Sequence, residues 1–163
     1  MRSFLPIILL LTSALLCIGM VSAAEIFAEE IVCTPGEEKI VNVWLSGIPT
    51  GLTGYIMTPI IKGDEIATIQ FIPSEKFILS NVDEETQTAA ALDLYDALLA
   101  GPGPVLLGTL DISALKTGES VLYFEITEII DDMGDPIEIT QNGIKIQVLG
   151  EKIPIMVGLA TSL

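Results

Sequence analysis

The sequence predicts an all-β protein built as an antiparallel β-sandwich of about nine short strands. Near its C-terminal end, the apolar residues Ile144, Ile146 and Val148 alternate with polar ones. A period of two places one face of a strand in a core and the other in water. The whole stretch 105–149 contains such segments with turns between them. A meander with one apolar face needs a second layer to cover it, which favours two stacked sheets.

Each strand is predicted from alternation or from an apolar run bounded by Gly, Pro or Asp. Within 39–45 the inward positions are apolar, and Trp44 falls on the outward register. We interpret Trp44 as a rim residue that covers the edge of the sandwich, with an exposed binding aromatic as the alternative. The predicted strands are 25–34, 39–45, 55–62, 66–72, 89–92, 105–112, 122–126 and 144–148.

Three local patterns add detail to these strands. Leu106, Leu110 and Ile112 are predicted to share one side of their strand. Asn142-Gly143 is typical of a tight hairpin turn before the last strand. Within 55–62, which is apolar throughout, Pro59 indicates an edge or a bulge.

Residues 89–99 fit a strand followed by a short helix, because leucines recur there at helical spacing.

The chain divides into three predicted parts. Residues 1–23 have a basic start, an apolar middle and small residues at the exit, which predicts a secretory signal peptide cut after Ala23 or Ala24. A retained membrane anchor is the alternative, because the apolar run approaches the ~20 residues that span a bilayer. Residues 24–150 have the length of a single domain, so we predict one domain there. Residues 151–163 are an apolar C-terminal tail. We leave three alternatives for it: an added edge strand, a frayed end, or an apolar patch that binds a partner.

Composition excludes several classes of function. The chain carries 22 acidic residues against 7 basic ones, and it has no histidine. Arg2, in the leader, is the only arginine. The usual base near neutral pH and the bidentate clamp for phosphates are therefore missing from the domain. A net charge of −15 repels nucleic acid and anionic membranes, so neither is an expected partner, and no membrane insertion is expected after leader cleavage.

Candidate sites are few. The acidic turn Asp131-Asp132-Met133-Gly134-Asp135 has oxygen ligands for Ca²⁺, but Asp and Gly also serve hairpin geometry, which we favour. Residues 83–85 lack the ligand spacing of a calcium loop and are interpreted as a solvated loop. Cys33 is interpreted as a small buried hydrophobe at a strand end, with a bridge between chains as the alternative.

No motif in this sequence supplies a nucleophile, a general base and an oxyanion site together. We therefore predict a non-catalytic protein with no catalytic residues, no cofactor-binding residues and no metal ligands.

The order of these segments resembles the cohesin domain. The resemblance is carried by four late segments and by an earlier Pro-Gly-Glu strand opening at 35–37 with the Gly-rich turn at 47–55. The late segments are 105–113 (VLLGTLDIS), 117–126 (TGESVLYFEI), 131–134 (DDMG) and 142–148 (NGIKIQV). It covers about residues 31–149 and implies a jelly-roll order of strands.

Cohesin-like domains dock a dockerin, a small calcium-binding pair of helices, through one flat sheet face, and thereby assemble extracellular complexes. The resemblance therefore implies a dockerin-like protein partner outside the cell or in the cell envelope. Two alternatives remain: polysaccharide binding, for which exposed aromatics are few, and a structural role in the cell envelope.

Overall fold

Two β-sheets packed face to face make up the described part of the computed structural model, which covers residues 23–48, 50–95, 98 and 103–150. Eleven strands lie in these residues. They are β1 (Ala24–Ala28), β2 (Ile31–Cys33), β3 (Glu38–Ser46), β4 (Gly54–Gly63), β5 (Ala67–Pro73), β6 (Leu79–Val82), β7 (Ala89–Leu92), β8 (Val105–Ala114), β9 (Gly118–Ile130), β10 (Ile139–Gln141) and β11 (Ile144–Val148).

The five-stranded sheet has the order β10-β1-β3-β8-β5, and the six-stranded sheet has the order β2-β11-β9-β4-β7-β6. All neighbours are antiparallel except β1 with β10 and β2 with β11, which are parallel. The predicted antiparallel sandwich is confirmed. The predicted count of about nine strands is too low, partly because the expected strand 25–34 divides into β1 and β2, which lie in different sheets.

The core lies between the sheets and follows the predicted alternation. Ile144, Ile146 and Val148 are buried, as expected from their spacing. At the centre, four aromatic rings meet edge to face. Tyr55 lies 6.3 Å from Phe71 and 5.0 Å from Phe77 between ring centroids, and Phe71 lies 5.5 Å from Phe124. Edge-to-face pairs of this kind add roughly 1 kcal/mol each beyond their burial, so they tie the two sheets together.

The prediction that Leu106 shares a face with Leu110 was wrong. The β3–β8 register shifts between Val43 and Trp44, so that Gly108 lies opposite Val43 but Leu106 lies opposite Trp44. This β-bulge adds one residue to β8 and breaks the period of two. Leu107 is consequently fully buried, and Leu106 faces outward.

The predicted hairpin at Asn142-Gly143 was also wrong. β10 and β11 lie in different sheets, so this pair carries the chain from one layer to the other. Glycine is needed at position 143 because the backbone passes close to neighbouring side chains, and its backbone is not left-handed. A Cβ there would collide with Val121 and come within 2.6 Å of the Tyr123 ring.

Pro59 lies in β4, a strand inside the six-stranded sheet and not at its edge. The neighbour β7 pairs only with β4 residues 54–57, so Pro59 follows the last β7 pair and faces β9 alone. Because no strand lies beside Pro59 on that side, the missing N–H of the proline leaves no ladder hydrogen bond unmade.

β7 forms at the predicted residues, but no helix follows it among the residues described between 93 and 98, where the chain makes a turn at Leu94 and Tyr95. The predicted leader, apart from Ala23, and the tail 151–163 lie outside the described residues. Within the described part of the chain, no helix is long and apolar enough to cross a membrane.

Candidate binding face

A groove of about 400 Å³ opens on the outer face of the six-stranded sheet, where β6, β7, β4 and β9 lie side by side. The local sequence explains it. In β7, Ala89 and Ala91 point into the core, which leaves the small Ala90 and then Leu92 outside. Ala90 pairs with Ile56, and Leu92 pairs with Gly54. Small residues in the middle of a face with larger ones around them leave a depression.

Gly54 sets the floor of this groove. A Cβ at Gly54 would lie 2.5 Å from the Ala91 carbonyl oxygen and 2.6 Å from Leu92 Cδ2. Such contacts do not occur for real side chains, so only glycine allows Leu92 to lean across β4. The rest of the lining is mainly aliphatic and comes from Ile56, Leu79 and Ile130.

Further exposed apolar side chains lie at the rim of the groove and just after β7. Leu79, at the start of β6, pairs with Leu92 and is 56% exposed. Leu94 and Tyr95, which follow β7, are 60% and 75% exposed. Monomeric soluble proteins rarely leave contiguous apolar patches of this kind uncovered unless they bind something.

Asp93 holds the loop that carries Leu94 and Tyr95. Its carboxylate is buried and accepts hydrogen bonds from the backbone N–H groups of Tyr95 and Leu98, at 3.2 and 2.6 Å. Its own N–H donates to the Thr53 carbonyl at 2.7 Å, next to the start of β4. The loop is therefore held next to the start of β4, and its Leu94 and Tyr95 side chains remain exposed.

The charge on this face is uneven. Glu128 lines the groove opposite Ile56, and Glu125 lies farther along β9. At the other end of the face, the Lys62 ammonium lies 4.7 Å from the centre of the Tyr123 ring. Aliphatic residues bordered by carboxylates suit an occupant that presents apolar side chains next to cationic ones.

The acidic turn after β9 uses its carboxylate to shape the backbone. Asp131 Oδ1 accepts hydrogen bonds from the N–H groups of Met133 and Asp135, both at 2.9 Å. Its Oδ2 accepts one from Thr50 Oγ1 at 2.7 Å, and this bond is the main cause that lowers the pKa of Asp131. Gly134 has a φ of 83°, which glycine adopts without strain. The geometry supports the favoured interpretation of 131–135 as a turn.

The other acidic segment behaves in the same way. Asp83 Oδ1 accepts hydrogen bonds from the N–H groups of Glu85 and Thr86 and from Thr86 Oγ1. These bonds lower the pKa of Asp83 and close the loop between β6 and β7. Across the described residues, no group of three or more acidic or cysteine side chains is placed to hold a metal ion.

Cys33 and Trp44 lie away from the groove. Cys33 ends β2 and is buried, as interpreted from the sequence, and burial raises the pKa of its thiol. Trp44 faces outward on β3, but β3 is the central strand of the five-stranded sheet, so Trp44 is not an edge residue. No site residue was predicted on the groove face. The run of three alanines before Leu92 was the one local signal for it.

Comparison with solved structures shows which known proteins have a similar fold. A cohesin from Clostridium acetobutylicum matches with a TM-score of 0.58 and 17% identity, over 77% of this chain and 90% of that one. A type I cohesin–dockerin complex from Clostridium thermocellum matches with a TM-score of 0.62 and 11% identity, over 79% and 95%. The third ScaB cohesin of R. flavefaciens, in complex with a group 1 dockerin, gives 0.60 and 17%, over 79% and 96%.

No family model and no curated protein matches the sequence. At these identities the structural likeness shows the fold, and the chain has a cohesin-like β-sandwich with the predicted jelly-roll order.

Proposed function

We propose that this protein is a non-catalytic binding module that docks a dockerin-type protein through the groove face of its six-stranded sheet. The observation that carries the proposal is the apolar groove of about 400 Å³, lined in part by the exposed Leu79, together with the exposed Leu94 and Tyr95 that follow β7. Cohesins that share this fold have been solved with dockerins bound. Two amphipathic helices offer the aliphatic surface that such a groove accepts.

A binding role also fits the chemistry of the chain. It contains no histidine, and the buried carboxylates of Asp93 and Asp131 already accept hydrogen bonds from the loops they organise. A carboxylate used in this way is poorly placed to act as a base or a nucleophile. The groove supplies aliphatic contact and a carboxylate border, which serve recognition.

We infer the place of action from the predicted leader. We propose that the mature protein acts outside the cell or in the cell envelope, after cleavage between Ala23 and Ala24. Ala24 begins β1 and is 2% exposed, and its N–H donates to the Glu138 carbonyl at 3.0 Å. A cut after Ala24 would remove that pairing. Intact mass of the secreted protein distinguishes the two cuts by one alanine, and an uncut chain would support the anchor.

The docking test uses two matched substitutions. Leu79 and Ile40 are exposed aliphatic residues on opposite sheets, 56% and 68% exposed. Leu79→Ser is expected to weaken binding of a purified dockerin from the same organism by at least about tenfold, a typical loss for an interface anchor. Ile40→Ser should leave the affinity unchanged. Calorimetry with calcium present measures both.

Ala90→Arg provides a second probe, because a long side chain at this half-buried position fills the groove without touching the core. It should abolish binding while the melting temperature stays close to that of the wild type. Equal affinity of the wild type and Ala90→Arg for the dockerin would refute the groove as the docking site. An affinity for the dockerin that is unchanged after calcium is chelated would argue against docking through the calcium-stabilised helices of the dockerin.

A further inference from the structure

The outer face of the five-stranded sheet carries an apolar row that the docking groove does not use. Phe27 on β1 pairs with Trp44 on β3, and Trp44 pairs with Leu106 on β8. Residues directly opposite on neighbouring strands project from the same face. The β8 bulge is what brings Leu106 into this row, since strict alternation would have put Leu107 there.

The row lies in the middle of the sheet and not at its margin. β1, β3 and β8 are the three inner strands of the order β10-β1-β3-β8-β5. Neighbouring strands lie ~4.8 Å apart, so the row extends about 10 Å across the sheet. Val43 and Leu45, on either side of Trp44, are fully buried and anchor the strand beneath it. Phe27 is exposed, whereas Trp44 and Leu106 are half-buried, so the platform lies centrally in the sheet and rests on the core beneath it.

Hydrogen-bonding side chains surround this row. Asn42 and Thr109 face each other on β3 and β8, and Gln70 lies opposite Asp111 on β5 and β8. Glu25 precedes Phe27 by one outward position. Among the outward positions of the five strands, as the structure describes them, none is a lysine. The face combines aromatic surface and the exposed aliphatic side chains of Ile40 and Ile72 with amides, hydroxyls and carboxylates, and its described outward positions carry no cationic group.

The side-chain chemistry of this face limits which class of ligand can bind to it. Anionic ligands and anionic membranes are repelled by a face with carboxylates and no lysine, on a chain with a net charge of −15. A second copy of the same face would bring Glu25 and Asp111 against like charges. A neutral polysaccharide carries no charge to repel. Its rings present C–H groups that pack on aromatic faces, and its hydroxyls bond to amides and carboxylates.

We propose that the row of Phe27, Trp44 and Leu106 is a binding platform for a neutral polysaccharide, separate from the protein-docking groove on the opposite sheet. The module would then hold its protein partner on one side and an insoluble or soluble glycan on the other. Glycan binding at this platform does not depend on the docking groove, which lies on the other sheet.

Trp44 provides a direct test, because it is the only tryptophan in the chain. Its fluorescence, excited selectively over tyrosine, reports on this platform alone. The probes are soluble neutral polysaccharides: hydroxyethyl cellulose, xyloglucan and galactomannan. At saturation at least one should shift the emission to shorter wavelength and lower the acrylamide quenching constant at least twofold. Unchanged quenching with all three would overturn the proposal.

Variants separate the platform from the groove. Trp44→Ala and Phe27→Ala should each reduce retention in a gel containing the bound polysaccharide at least fivefold, whereas Leu79→Ser on the other sheet should retain wild-type mobility. If Trp44→Ala fails to fold, Phe27→Ala with Trp44 fluorescence gives the same answer. Protection of Trp44 by a dockerin, without protection by any glycan, would make this face a protein interface and refute the proposal.

Discussion

Gln141 closes a gap in the ladder of β9, and its removal tests how the two sheets are joined. β11 pairs with β9 only as far as Leu122. Beyond that point, the Gln141 side chain donates to the Phe124 carbonyl at 2.6 Å and accepts from the Phe124 N–H at 2.9 Å. Gln141 belongs to β10, in the other sheet. Its amide therefore replaces a missing strand and links the layers.

Gln141→Ala leaves both backbone groups of Phe124 without their partner. A buried polar group that loses its hydrogen bond costs about 1–3 kcal/mol. Because these two groups are only partly buried, we expect the free energy of unfolding to fall by about 2–4 kcal/mol. Gln141→Glu should be as harmful at pH 7, because an ionised carboxylate cannot donate to the Phe124 carbonyl, and should recover partly once the carboxyl is protonated.

Urea unfolding followed by circular dichroism measures the loss, and Gln147 provides the control. Gln147 is also an amide on a strand, but its bond, 2.7 Å to Glu119, is exposed. Gln147→Ala should therefore cost less than about 0.5 kcal/mol. The two variants should differ in midpoint and not in slope. A loss below about 1 kcal/mol for Gln141→Ala, or equal losses for both, would refute this role of Gln141.

Three further predictions concern the core and the acidic turn. The buried Tyr55 hydroxyl donates to a backbone carbonyl at the β8 bulge at 2.8 Å, so Tyr55→Phe should lower the unfolding free energy by about 1 kcal/mol in urea titrations. Gly108→Ala forces a Cβ against the Ile72 carbonyl oxygen and should cost about 3 kcal/mol, whereas Gly103→Ala, with nothing within 4 Å, should be neutral. The lowered pKa of Asp131 means that its carboxylate stabilises the fold fully above its unfolded pKa of about 4, and that this contribution is lost as pH falls through the lower folded value. Melting temperatures of the wild type and Asp131→Asn should therefore differ at pH 7 and converge toward pH 2; a constant difference would contradict the assignment.

Period-two alternation predicted much of the sandwich because burial acts locally on each strand. Ile144, Ile146 and Val148 face the core as expected, and Leu122 and Phe124 do the same. Each of these strands has one covered face and one wet face, so its own sequence carries the pattern.

The failures came from contacts between distant parts of the chain. Nothing near Leu106 indicates the bulge, which arises from the register of β8 on β3. Asn142-Gly143 has the composition of a hairpin, but β10 pairs with β1 and β11 pairs with β9 and β2, so these two strands do not pair with each other. Local turn chemistry is shared by hairpins and by crossings between sheets, and only tertiary pairing distinguishes them.

The binding face was the least predictable feature. From the sequence alone, Gly54 is predicted to lie in a loop, and Ala90 is an ordinary strand residue with no sign of a binding role. The groove exists because β4 and β7 pair in the one register that places these two small residues beside Leu92. A single aromatic such as Trp44 likewise gains meaning only when pairing brings Phe27 next to it.

Hydrogen–deuterium exchange of the mature protein, with and without its purified dockerin partner, reports which sheet face the dockerin covers. We expect slower exchange in β6, β7 and the turn after Leu92, with β3 and β8 unchanged. Protection confined to β3 and β8, or no protection under conditions where the complex is formed, would contradict this expectation.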